Sequence, residues 1–295
     1  METVGWIGTG VMGSGMCKHL VGAGHKVYVY NRTPSKADSL LKNGATWCDS
    51  PAEVARQSNY IFTIVGYPRD VEEVMLGDDG VIENAPRGAY IIDMTTSTPA
   101  LAEQVHAIAA KKGIQALDAP VSGGDIGAKA GTLAIMVGGE KKAYNKIKPY
   151  FDHMGENIAH MGGPGKGQHT KMSNQVLIAG TMIGVIESLL YAYKAGMELE
   201  DVIDVIGKGA ASSWSINQLG TKIAQGDYNP GFFIKHFVKD MRIALDESRR
   251  MQLSLPGLAL AEQFYTSAMS LGYENLGTQA LYKVFEKMNG MENRG

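Results

Sequence analysis

Four groups of residues in this 295-residue chain have types and spacings that suit chemistry. Gly8, Gly10 and Gly13 stand in G-x-G-x-x-G spacing directly after the apolar run 4–7, with Val11 and Met12 between the last two glycines. Glycines so placed permit a tight turn, close approach of backbone to a pyrophosphate, and close packing of the following helix. Its free N–H groups and dipole then face the phosphates. Asn31, Arg32 and Thr33 lie at the end of a second apolar run, eighteen residues beyond Gly13. A site selective for an unmodified ribose usually carries a carboxylate there. A neutral Asn followed by Arg suits a 2′-phosphate instead, which a guanidinium binds through paired hydrogen bonds. The plain alternative is a surface arginine in a turn. Ser122, Gly123 and Gly124 offer bare N–H groups and one hydroxyl, a cradle for a carboxylate or simply a turn. Lys171, Asn174, Gln175 and Ile178 fall at i, i+3, i+4 and i+7, on one face of a helix. A solvated face carries more charge; one amine and two amides among apolar neighbours fit a polar active site.

The elements that would position these groups alternate in type. Residues 4–7, 26–30, 60–65, 90–94, 115–120, 131–138 and 158–161 read as strands, with helical stretches between the earlier ones. This pattern predicts an α/β fold with a Rossmann-type doubly wound parallel sheet, whose ligands sit at the carboxyl ends of strands. Val65 ends one such strand and marks an edge where cofactor would lie. Thr96, in a hydroxyl-rich loop, is a candidate nicotinamide or ribose contact, with an N-cap role as the alternative. The glycine-rich run 162–167 marks a boundary. It divides a dinucleotide-binding domain (1–163) from an all-helical domain (164–291) that begins with a long interdomain helix over 167–195. Further helices are predicted over 199–208, from just beyond Phe232 to 251, over 256–271 and over 277–288. Trp214 stands in a Ser-rich segment, and 289–295 is expected to fray.

Composition narrows the partners. The formal net charge is −2, with 44% hydrophobic and 20% charged residues. There is no basic excess for nucleic acid and no acidic tract, which leaves a small anionic ligand as the expected partner. Cys17 and Cys48 match no metal spacing and read as reduced thiols of a cytoplasmic protein. The start of the chain lacks the basic and apolar regions of a signal peptide. The apolar stretch 176–190 is interrupted by Glu187 and falls short of the roughly 20 residues that span a bilayer. It reads as a buried helix, and no membrane partner is expected.

Together, residues 5–13, Asp118-Ala119-Pro120-Val121-Ser122-Gly123-Gly124, residues 165–175 and Lys239-Asp240 resemble the β-hydroxyacid dehydrogenase family over nearly the whole chain. The resemblance implies hydride transfer between NADP(H), with NAD(H) possible, and a small carboxylated aldehyde or β-hydroxyacid. The reaction would be of the semialdehyde or glyoxylate reductase type. It makes Lys171 the general acid/base, assisted by Asn174 or Gln175. Ser122, Gly123 and Gly124 would hold the substrate carboxylate, with Trp214 and Phe232 as further substrate contacts. Thr96 and Lys239 would reach the cofactor. The Asn31-Arg32-Thr33 segment looks like that of NADPH-preferring members. Trp214 stands where 3-hydroxyisobutyrate dehydrogenases also tend to carry Trp, which points to an NAD-linked enzyme of that type instead. The chemistry suits the groups present, since a desolvated lysine has its pKa lowered toward neutrality, where it can give and take a proton. A catalytically inactive binding protein of the same fold is the non-enzyme alternative, against which Lys171 itself speaks. The resemblance also implies a homodimer or homotetramer formed through the helical domain.

Overall fold

Strands buried on both faces need no polar alternation. That is what Val4, Trp6, Ile61, Phe62, Ile91 and Ile92 provide, all of them buried. The computed structural model describes residues 2–291; residues 292–295, part of the tail expected to fray, lie outside the described residues. The chain divides into two units, Met1–Lys171 and Met172–Gly295.

The first unit is built on one sheet of β1 (Thr3–Ile7), β2 (Lys26–Tyr30), β3 (Thr46–Trp47), β4 (Tyr60–Thr63), β5 (Tyr90–Asp93), β6 (Gln115–Asp118), β7 (Val121–Ser122), β8 (Leu133–Gly138) and β9 (Gly155–Gly162). Its order is β3-β2-β1-β4-β5-β6-β8-β7, with β9 on the other side of β8. From β3 to β6 all pairs are parallel. Their register sets Tyr30, Ile7, Thr63, Asp93 and Asp118 in one row across the sheet, at the carboxyl ends of five strands. The loops that leave this row carry the Gly8–Gly13 turn, Asn31, Val65 and Thr96.

Beyond β6 the sheet departs from the all-parallel expectation. β8 runs antiparallel to β6 and β7. The connection explains this: only the short helix Gly124–Ala130 and one turn separate β7 from β8, too few residues for a parallel crossover. The predicted Ser122–Gly124 turn is therefore the end of β7 running into that helix. The predicted edge strand 158–161 is the longer β9, and β3 was not expected.

The second unit is helical among its described residues. The long helix Lys166–Lys194 starts in the first unit and runs unbroken through the division. Ala179, Met182, Ile186 and Leu189 on it are buried with Phe237 and Met241 of helix Ile234–Arg250 and Tyr265 of helix Pro256–Ser270. Burying each such large side chain contributes about 1.5–3 kcal/mol. The helix has within one residue the bounds 167–195 expected from the sequence. By length and composition it could cross a membrane, a property shared by core helices. Its other side leaves Leu177 (73%) and Tyr191 (78%) exposed, with Gly180 and Gly184 between them. Trp214 opens a π-helical turn, Ser215–Gly220, that the sequence reading did not anticipate.

At the opposite end of the sheet from the carboxyl row, Glu2 accepts hydrogen bonds from the Tyr60 and Tyr150 hydroxyls at 2.7 and 2.9 Å and pairs with Lys146 at 2.9 Å. The Tyr60 hydrogen bond, then Lys146 and Tyr150, pull its carboxyl down to about 2. A lowered folded-state pKa gives stability that is present above the ordinary value and lost as pH falls toward 2. Glu2→Gln should therefore lower stability at neutral pH and lose less on acidification, so that its gap to wild type closes between pH 5 and 2, measurable by thermal melts across that range.

Candidate functional site

The glycine turn is shaped by what each glycine must avoid or leave open. Gly8 lies at φ +99°, a region L side chains rarely adopt, and a Cβ there would overlap the Ile64 carbonyl. A Cβ on Gly13 would overlap the carbonyl of Gly8, so the helix Val11–Gly22 can press onto the turn only without one. A Cβ on Gly10 would meet nothing within 4 Å. Gly10 is the N-cap, without a side-chain cap, and the first turn holds no acidic residue. The first N–H groups of a helix have no intrahelical partner. This turn thus presents donors toward open space beside Gly10, and the residues fit a dinucleotide pyrophosphate.

Asn31 and Arg32 do different work. The Asn31 carboxamide accepts the Thr9 N–H at 2.9 Å and donates to the Thr33 carbonyl at 2.9 Å. It braces the glycine turn to the turn after β2. Arg32 donates to the buried Asp70 at 3.1 Å, while 72% of its side chain stays exposed. Asp70 also accepts the Tyr67 N–H at 3.0 Å, so its carboxylate is fixed at the start of helix Pro68–Leu76. The exposed pair is worth about 0–1 kcal/mol in itself. Its effect is to hold one guanidinium nitrogen and leave the rest of the group open to an anion.

The loops of the carboxyl row are tied together. The Val65 N–H donates to the Thr95 hydroxyl at 3.0 Å, and the Thr63 hydroxyl and Thr95 N–H both donate to Asp93 Oδ1 at 3.0 Å. Thr98, not Thr96, caps helix Pro99–Lys111, accepting the Leu101 N–H. The N-cap alternative for Thr96 is thereby removed. Ser122, Gly123 and Gly124 are half-buried, and Gly123 is the N-cap of helix Gly124–Ala130. That helix packs against the first one at Gly15, where a Cβ would lie 3.2 Å from the Ala128 carbonyl, and the His19 ring meets the same carbonyl. The Ser-Gly-Gly segment and the glycine turn thus belong to neighbouring elements.

Asp118, Gln168 and Lys171 are all buried. Asp118 Oδ1 accepts the Gly165 N–H at 2.9 Å, and Oδ2 accepts the Gln168 N–H at 2.8 Å. The carboxylate so caps the long helix on which Lys171 stands. Burial raises its pKa to about 6, against the pull of those two donors. Asp118 heads one of the motifs that carry the family resemblance, but no capping role was expected of it, since nothing local signals a helix forty-seven positions on.

In the second unit the two amides after Lys171 part company. Gln175 donates to Asp240 at 2.6 Å and accepts from Asn174 at 2.8 Å, so both ends of its amide are engaged. Asp240 also pairs with Lys239 at 2.9 Å. Asn174 is half-buried and its carbonyl end takes no part in that chain. Phe232 is half-buried against Phe237, and Trp214 is 56% exposed.

Residues 3–163 match the family model described as the NAD-binding domain of 6-phosphogluconate dehydrogenase. Residues 165–285 match that described as NAD-binding of NADP-dependent 3-hydroxyisobutyrate dehydrogenase. The chain belongs to the β-hydroxyacid dehydrogenase family. It is 53% identical to the Bacillus subtilis oxidoreductase YkwC over 97% of this chain and 99% of the relative. It is 49% identical to a probable 3-hydroxyisobutyrate dehydrogenase-like protein of Arabidopsis thaliana (98% and 86% covered). It is 36% identical to the 2-hydroxy-3-oxopropionate reductase of Escherichia coli (97% and 97% covered). Among solved structures it is similar to the 3-hydroxyisobutyrate dehydrogenase of Salmonella typhimurium, with TM-score 0.88 and 28% identity over 97% of this chain and 100% of that one. The protein is accordingly an NAD(P)-dependent oxidoreductase of the hydroxyacid dehydrogenase type.

Two glycine substitutions should separate fold from binding. Gly10→Ala meets open space and should melt like wild type while binding NADPH about tenfold or more weakly, a loss of about 1.4 kcal/mol or more. Gly8→Ala combines strain with overlap and should lose about 3 kcal/mol or more of stability. Thermal melts and NADPH fluorescence titration check both.

Proposed function

We propose that the enzyme is an NADP(H)-linked reductase of small carboxylated aldehydes, of the semialdehyde or glyoxylate reductase type, with Lys171 as its general acid/base. The observation that carries this reading is the placement of Lys171. It is buried on the first turns of a helix whose start is fixed to the cofactor-side loops of the sheet. When bound, the nicotinamide supplies the hydride. The Lys171 ammonium delivers a proton from Nζ to the oxygen on which negative charge develops; in the reverse direction the neutral amine takes the hydroxyl proton. The N–H groups of Gly123 and Gly124 with the Ser122 hydroxyl hold the substrate carboxylate, which fixes the aldehyde carbon in place. Asn174 is the amide that steadies the reacting oxygen, because Gln175 is already engaged at both ends. Thr96 and Lys239 complete the cofactor contacts.

Preference for NADP(H) is supported by Arg32, which is largely exposed, and by the absence of a carboxylate at position 31. The description of the second family model as NADP-dependent points the same way. The competing reading is an NAD-linked 3-hydroxyisobutyrate dehydrogenase, favoured by Trp214 and by the names of similar proteins. We further propose a cytoplasmic homodimer or homotetramer. The support is the uncovered side of the long helix, where Leu177 and Tyr191 flank two glycines that let a second backbone come close.

Lys171→Ala should lower kcat by about 10²–10⁴ while NADPH still binds; near-full activity would overturn the acid/base assignment. Glyoxylate, succinic semialdehyde, tartronate semialdehyde and methylmalonate semialdehyde, each with NADPH and NADH, form the substrate panel. Arg32→Ala should raise the KM for NADPH about tenfold and leave that for NADH nearly unchanged. Equal effects on both cofactors would remove the 2′-phosphate role.

A further inference from the structure

The side chain of Gln168 is fully buried, and the proposed reaction gives it no direct part. Both ends of its amide are nonetheless committed. Nε2 donates to the Thr95 carbonyl at 2.8 Å, and Oε1 accepts the Ser97 N–H at 3.0 Å. These two bonds bracket Thr96. One residue before the bracket, Met94 donates its N–H to Thr63 at 2.8 Å, and Thr95 is bonded to Val65 and Asp93, so the loop is anchored on its sheet side as well. On the helix side, Asp118 holds the N–H of Gln168 itself. Gly138 and Gly167 close around that carboxylate, each so near that a Cβ would strike it. Gln168 is therefore rigid at its backbone and at its side-chain tip. Lys171 follows three positions later, on the same face of the helix.

We propose that Gln168 is a positioning residue for the reaction. Its amide sets the distance between Lys171 and the Thr96 loop, and so between the proton donor and the cofactor that Thr96 is proposed to contact. The proposal rests on the reading of Lys171 as acid/base. The bonds run from a side chain to two main-chain groups, so the spacing between helix and loop is fixed by covalent lengths and two hydrogen bonds. A methionine would fill nearly the same volume. It would leave the Thr95 carbonyl and the Ser97 N–H buried without these partners, a state that favours a shift of the loop toward any other donor or acceptor. A displacement of about 1 Å between reacting groups costs on the order of 10² in rate.

The test compares Gln168→Met, Gln168→Glu and Lys171→Ala in the intact enzyme, using the panel substrate that wild type reduces fastest. Gln168→Met should lower kcat about 10- to 100-fold, with substrate and NADPH KM values within about threefold of wild type. Gln168→Glu should recover as pH is lowered, measured as its kcat relative to wild type at the same pH. A neutral carboxyl can again accept from Ser97 and donate to Thr95, whereas the Met variant should show no such recovery. The Glu arm also serves if the Met variant fails to fold. Unchanged kcat in folded Gln168→Met, or a pH-independent ratio for Gln168→Glu, would overturn the proposal while an inactive Lys171→Ala left the acid/base reading standing. An active Lys171→Ala would overturn both.

Discussion

One buried carboxylate decides where the longest helix begins. Asp118 ends a central strand, lies at the start of helix Lys166–Lys194, and accepts the N–H of Gly165 just before it and that of Gln168 in its first turn. The helix dipole favours a negative charge at that point, and charge-assisted bonds of this kind contribute about 1.5–3 kcal/mol each. Loss of solvent acts against them and prevails, since the carboxyl sits at about 6, above the ordinary range for an aspartate. The small residues around it follow from this arrangement. Gly138 and Gly167 leave no space for a side chain, and Gly165 supplies one of the two donors. Lys171, one turn further along the helix, takes its position from that anchorage.

A second consequence concerns the polar side chains that follow. A buried amide is stable only when both its ends are satisfied. Gln168 is satisfied by the main chain of one loop and Gln175 by Asn174 and Asp240. These two glutamines act as fixed struts, one in each unit, and Asn174 is the amide left with a carbonyl end outside the chain of bonds. Lys171 and Asn174, the two groups proposed to act on the substrate, are spaced about one turn apart on the same helix.

Much of this could be read from the chain alone, and the reasons are local. The glycine turn, the buried runs at 4–7, 60–63 and 90–93 and the long helix all leave signals within a few residues: glycine spacing, unbroken apolar runs, a 3.6-residue period. The Rossmann-type α/β fold with a helical unit after it followed from these. What was not legible depends on distant partners. β3 is two residues long and exists only because β2 lies beside it. The reversal of β8 hinges on a seven-residue helix rich in Gly and Ala that has no clear periodicity. The bond that engages Gln175 runs to Asp240, sixty-five positions away, and the attachment of Gln168 to Thr95 spans seventy-three. No window of sequence contains both ends of such a bond.

The brace at Asn31 leaves little freedom for change at the end of β2. The familiar route to an unphosphorylated ribose places a carboxylate at the end of β2. Here that residue is already a mechanical part, accepting from Thr9 and donating to the Thr33 carbonyl. An aspartate would keep the first bond and set its second oxygen against a carbonyl, repelling the turn it now holds. Position 31 is closed by its neighbours, whereas among the described residues Arg32 is joined to the framework through Asp70 alone. Substitution is freer there, one residue along.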